Sequence, residues 1–118
     1  MALMGAGLLL YPSAIGSEPQ EAGKIDTSAM WRRAMVGHAV SNSVYVGAAN
    51  RIGSEGEMDF YGTSFIADYR GEIIADGDGA DNCIITAELD FTVQRLFQAE
   101  MGFFRDRRPD LYGSLLRR

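Results

Sequence analysis

The chain has one cysteine, one histidine and one lysine among its 118 residues, and each scarcity excludes something. A lone Cys83 rules out an internal disulfide and any zinc site built on several thiolates. It fits a reducing compartment, so a cytoplasmic location is expected. A lone His38 gives little support to metal-assisted hydrolysis, and neither a metal nor a cofactor is expected. Long apolar runs are also missing. Met1 to Tyr11 is largely apolar, but it is too short to span a bilayer, no basic segment opens it, and Pro12 closes it. No broad basic face is present. The expected partners therefore include neither nucleic acid nor a membrane.

What is present reads as an ordinary globular chain. Hydrophobic residues make up 47% and charged residues 23%, so disorder is expected only at the ends. The length suits one small domain with a real core. The net charge of −5 is unevenly spread. Residues 105–118 carry five arginines against Asp106 and Asp110, and residues 1–104 carry fourteen acids against six bases. A basic tail on an acidic body is expected to pack on that body or on a partner subunit.

Along the chain, Leu8 to Tyr11 between Gly7 and Pro12 predicts a central strand of a covered sheet, for which something else must supply a partner. Met1 to Gly7 predicts the end of a buried helix. Residues 13–26 form a polar connection of a length at which loops are often functional. Asp26 or Thr27 is expected to cap a helix reaching about Ser41, with an apolar stripe of Trp31, Ala34, Met35, His38 and Ala39. Arg32 and Arg33 are expected to face outward. Val44 to Ala49 predicts a buried strand and 53–62 a polar excursion. Thr63 to Asp68 and Ile73 to Ala75 predict the two arms of a hairpin. Asn82 to Leu89 predicts the last strand, and Asp90 caps a helix from Phe91 to Met101 that Gly102 ends. The tail has no periodicity but keeps Phe103, Phe104, Leu111, Tyr112, Leu115 and Leu116, which should bury against something. Helices and largely apolar strands in one chain predict a layered α/β or α+β domain.

Few residues carry chemistry alone. Cys83 lies among branched apolar neighbours with no local base or cation, so a buried, inert thiol is expected. His38 on the helix stripe is expected to be a hydrogen-bonded core residue. The acidic tract 76–81 lacks the final acidic ligand of a calcium loop, whether counted from Asp76 or from Asp78. Gly5-Ala6-Gly7 and Gly77-Asp78-Gly79 lack the spacing of a phosphate loop. Glu18 differs from these, because it follows a strand end in a long connection, where sheet proteins place ligand-binding groups. It either meets a cationic part of a ligand or is simply solvated.

Several segments together carry a resemblance. Tyr11-Pro12-Ser13-Ala14-Ile15-Gly16-Ser17-Glu18-Pro19-Gln20, Trp31 to Ala39, Ala48-Ala49-Asn50-Arg51, Phe60 to Ile66 and Gly102 to Gly113 are similar to the C-terminal part of the carbon–nitrogen hydrolase (nitrilase-like) family, and within it to the N-carbamoylputrescine amidase subgroup. The resemblance implies an α-β-β-α sandwich. This chain would supply four to five strands, two main helices and an extended tail, divided as 1–102 and 103–118. It implies hydrolysis of a carbamoylated diamine to putrescine, carbon dioxide and ammonia, and a homo-oligomer in the intact form. The family's catalytic cysteine, glutamate and lysine fall upstream of the matched part; neither Cys83 nor Lys24 matches them. No catalytic residue is therefore assigned. What carries over is the far wall of the pocket: Glu18 toward the distal amine, Pro12, Ser13, Ala14 and Ile15 lining it, and Asn50 and Arg51 bracing it. Two other readings remain, another amidase of the same superfamily and a non-catalytic binding or assembly module.

Overall fold

A computed structural model describes residues 1–17, 27–77, 79 and 81–116. Its main layer is a four-stranded sheet in the order β1-β3-β6-β7. The strands are β1 (Leu8–Ser13), β3 (Tyr45–Asn50), β6 (Phe65–Ala67) and β7 (Ile73–Asp76). β1 and β3 are parallel, as a helical crossover requires, and α1 (Thr27–Asn42) makes that crossover. The other pairs are antiparallel.

Alternation along the strands decides the two faces. Leu9, Val46, Ala48, Phe65 and Ala67 point to one side, where Ala39, Trp31, Met35 and Val36 of α1 meet them and make the core. Leu10, Gly47 and Ile66 are register partners on the other side. That side bounds a cavity of about 460 Å³, partly roofed by Cys83 and Ile85.

α2 (Phe91–Met101) begins where the sequence places it. The Asp90 carboxylate accepts from the N–H groups of Thr92 and Val93, and Gly102 closes the helix at φ +70°. The helix docks on the end of α1. Gln94 and Gln98 donate to the carbonyls of Ser43 and Asn42, at 2.6 and 2.9 Å, and so satisfy carbonyls that a helix end leaves open. Tyr45 joins strand to helix: its hydroxyl donates to the Asp90 carbonyl and accepts from the Asp90 N–H, and its ring meets Phe91 edge-on at 5.6 Å. Burial pushes this phenol above its ordinary value.

The structure corrects several expectations. The polar excursion 53–62 is a β-hairpin of β4 (Ile52–Glu55) and β5 (Met58–Tyr61), turned at Gly56 with φ +62°. Its solvent-facing polar residues hid the alternation. A third strand, β2 (Gly16–Ser17), joins β5 to make a second sheet in the order β2-β5-β4. Seven strands are therefore present among the described residues, against four to five expected. β1 runs through Pro12 to Ser13 and among the described residues pairs only with β3, so it is an edge strand there and tolerates proline. Residues 82–89 form no strand: half-exposure alternates at Ile85, Ala87 and Leu89, as in a strand, but no ladder partner is present among the described residues.

Near the amino end, Ala2–Met4 is a 3₁₀ turn, and Met1, Leu3 and Met4 are exposed rather than buried. On α1, His38 and Ala34 are exposed; His38 stacks on the Tyr11 ring instead of entering the core. Arg32 does not face outward. It reaches across to ion-pair with Asp76 and covers the Phe65 ring. Cys83 is exposed, because the strand that would have buried it does not form. In the tail, Pro109–Leu116 is a 3₁₀ segment with exposed Leu111, Tyr112 and Leu115. Asp26, the other expected cap of α1, lies outside the described residues, and Thr27 is already helical.

Candidate functional site

The carboxyl ends of β1 and β3 lie side by side, with Ser13 opposite Asn50 in the parallel register. In sheets of this kind, loops leaving those ends bind ligands. Here the loop leaving β1 is residues 14–15, which lead into β2. The Arg51 N–H donates to the Ser13 carbonyl at 3.1 Å and extends the ladder by one bond.

Asn50 holds the junction together. Its Oδ1 accepts from the Ile15 N–H at 2.9 Å, and its Nδ2 donates to the Ile15 carbonyl and to the Gly62 carbonyl, both at 2.9 Å. Its own N–H donates to Ser64 Oγ at 2.9 Å, and that hydroxyl donates back to the Asn50 carbonyl at 3.3 Å. The carboxamide thereby stands in for a peptide unit of a neighbouring strand. Gly16 follows, packed so closely that a Cβ there would overlap the Asp59 carbonyl.

Beside this junction lies a polar cavity of about 350 Å³, lined by Asn50, Arg51, Thr63, Ser64, Asn82 and Cys83 among others. The predicted site residues divide between distinct surroundings. Pro12 is exposed and borders the apolar cavity instead. Ser13 is half-buried in the ladder, Ala14 is exposed, and Ile15 is half-buried with its backbone held by Asn50. The Arg51 side chain turns away to the hairpin, where it ion-pairs with Glu55 and covers Phe60 with 4.4 Å from guanidinium carbon to ring centre. Glu18 and Lys24 lie outside the described residues. Sequence reasoning missed Ser64 and Gly16. Ser64 carries no motif signal. A glycine in the polar connection after β1 is the one sequence trace of the close approach at Gly16.

The site offers carboxamides, hydroxyls and backbone groups. Among the described residues no three His, Cys, Asp or Glu side chains gather as a metal centre. Such a surface can hold and orient a polar molecule.

Fold and site define a mixed α/β domain with a polar cavity at the carboxyl ends of its parallel strands; the carbon-nitrogen hydrolase profile matches residues 1–97, and the chain belongs to that family. Its relatives include the N-carbamoylputrescine amidase of Arabidopsis thaliana, 47% identical over 124 aligned positions covering 98% of this chain. The citrullinase of Francisella tularensis is 43% identical and covers the whole chain. A crystal structure of a carbon-nitrogen hydrolase from Helicobacter pylori superposes with a TM-score of 0.88 at 32% identity, again over the whole chain. The fold is thus of the nitrilase-superfamily type. The chain spans 41% of the Arabidopsis relative and 43% of the Helicobacter structure, and corresponds to the C-terminal part of the amidases.

Proposed function

We propose that this chain forms the substrate-end wall of an amidase that hydrolyses N-carbamoylputrescine to putrescine, carbon dioxide and ammonia. The observation that carries the reading is the 47% identity to an N-carbamoylputrescine amidase over nearly the whole chain. On this reading Glu18 pairs with the distal ammonium of the substrate. A flexible alkylammonium needs a charge partner more than a rigid fork, which suits a carboxylate. Ser13 to Ile15 line the wall beside it, while Pro12 borders the apolar cavity. The nucleophile, general base and oxyanion-stabilising lysine come from the portion of the relatives that this chain does not span. The intact enzyme is a homo-oligomer.

Citrullinase likeness over the whole chain favours a second reading, a ureido-amino-acid substrate. The two substrates share a carbamoylated amine on a short alkyl chain and differ by one carboxylate near the far ammonium.

The test is a hybrid in which these 118 residues replace the matched part of the Arabidopsis amidase. Ammonia release from N-carbamoylputrescine, with citrulline much poorer, supports the first reading; the reverse preference supports the second. In the same hybrid, Glu18→Gln is expected to lower kcat/KM for N-carbamoylputrescine by roughly 10- to 100-fold, the loss of a charge-assisted bond. Unchanged kinetics would remove Glu18 from its role. The 118-residue chain alone is expected to release no ammonia.

A further inference from the structure

We propose that the joint between α1 and α2 is a binding site for one enclosed water molecule, held between the Ser43 hydroxyl and the Gln94 carboxamide oxygen. The site is separate from the polar cavity, and it does not depend on the amidase reading.

Ser43 closes α1. Its N–H donates to the Val40 carbonyl at 3.2 Å, and the Val44 N–H donates to the Ala39 carbonyl at 3.0 Å. That pair of bonds, with Ser43 left-handed at φ +50°, is the helix ending in which glycine is usual. A serine there bears a backbone cost that glycine avoids, and it puts a hydroxyl into the interior. Gln94 meets it from α2, where Nε2 donates to the Ser43 carbonyl at 2.6 Å. That bond fixes which end of the carboxamide is nitrogen, so Oε1 is the end that needs a donor.

The other polar groups of the joint have partners. Gln98 takes the Asn42 carbonyl, and the Tyr45 hydroxyl takes both backbone groups of Asp90. Two atoms are left over: Ser43 Oγ and Gln94 Oε1 are enclosed and have no hydrogen-bond partner. Their residues are 0% and 1% exposed within this chain alone, so no group of another chain reaches either atom unless α1 and α2 part. Two enclosed polar atoms left bare at one joint would work against the docking that its other bonds make.

One water satisfies both. The hydroxyl gives its proton to the water oxygen, and the water gives one of its own to Oε1. Two bonds lie within the range that enclosed waters make. Two uncharged oxygens are too few for a metal cation. The water thus completes the docking of α2 on the end of α1, and the hydroxyl is what a glycine at residue 43 would lack.

Three measurements decide it. A crystal structure of the 118-residue chain or of the hybrid, at a resolution that places waters, is expected to show one water within hydrogen-bond distance of both atoms. A joint without it, or a direct bond between hydroxyl and carboxamide, overturns the proposal. Hydrogen exchange in the 118-residue chain gives the sign. Ser43→Ala removes the hydroxyl and keeps the left-handed backbone cost. With the bridge broken, exchange across α2 is expected to quicken roughly fivefold at matched chain concentration. Slower or unchanged exchange means that the hydroxyl stood bare, and it overturns the site. In a Gln94→Met background the same change is expected to alter exchange by less than about twofold, because the bridge is already gone. A full fivefold effect there would show Ser43 acting without Gln94, and it overturns the shared water.

Discussion

At the scale of single residues, close contact and burial set what can be exchanged. Gly16 sits where any Cβ meets the Asp59 carbonyl, a backbone atom that cannot move without opening β2 from β5. Gly16→Ala is expected to cost about 1–3 kcal/mol, as overpacking does, and a lowered urea midpoint with an unchanged slope would show it. Tyr45 is only 4% exposed, and the fold changes its titration. Burial raises its pKa above 10.0, and the backbone bond with Asp90 offsets part of that rise. The folded state then holds this proton longer than the unfolded state. Its contribution to stability is complete below pH 10 and is lost as pH climbs through the folded value. A spectroscopic titration should find a tyrosine component ionising above pH 10.0, and Tyr45→Phe should remove it.

At the scale of elements, α2 depends on its ends. The Asp90 carboxylate satisfies two open N–H groups, and Asp90→Ala is expected to cost about 1 kcal/mol, measurable as a lower thermal midpoint. The effect should reach beyond the helix. Asp90 also holds Tyr45 through its backbone, and the next turn carries Gln94, whose amide closes the end of α1. The β6–β7 turn is held differently. Asp68 is 5% exposed, accepts from the N–H groups of Arg70 and Glu72, and pairs with the Arg70 side chain at 3.1 Å. That bond and the nearby charge hold the Arg70 guanidinium above its ordinary pKa.

At the scale of the molecule, the chain is a thin plate. Its extents are 47 × 42 × 20 Å and its radius of gyration is 16.8 Å, where a compact chain of this length would have about 13 Å. Its accessible surface is 8206 Å², against about 6300 Å² for a folded monomer of this mass. Much of the excess is apolar: Leu10 is 71% exposed, Ile84 94% and Leu115 80%. Such surface associates. The purified chain is expected to sediment as a concentration-dependent mixture at micromolar concentration; a single sharp monomer boundary at every concentration would contradict this. No helix among the described residues is long and apolar enough to cross a membrane, so this apolar surface does not amount to a helical span.

Local signals in the sequence determined the α1 helix, the β6–β7 hairpin and both ends of α2, because caps, turn residues and stripes act within a few residues; the family came through the resemblance of several segments. Asn50 was expected as a brace only through the resemblance, and nothing local marked which backbone groups it would bond. Ser64, Gly16 and the second sheet were decided by tertiary structure alone, since each depends on chain segments brought together from far along the sequence. The segment 82–89 shows the same limit from the other side. Its residues favour a strand, yet a strand exists only as a pair, and the backbone that would complete it is not among the described residues. Exposure of Cys83 and of His38 follows from that same physics: a side chain is buried by what packs against it, and its own sequence does not name that neighbour.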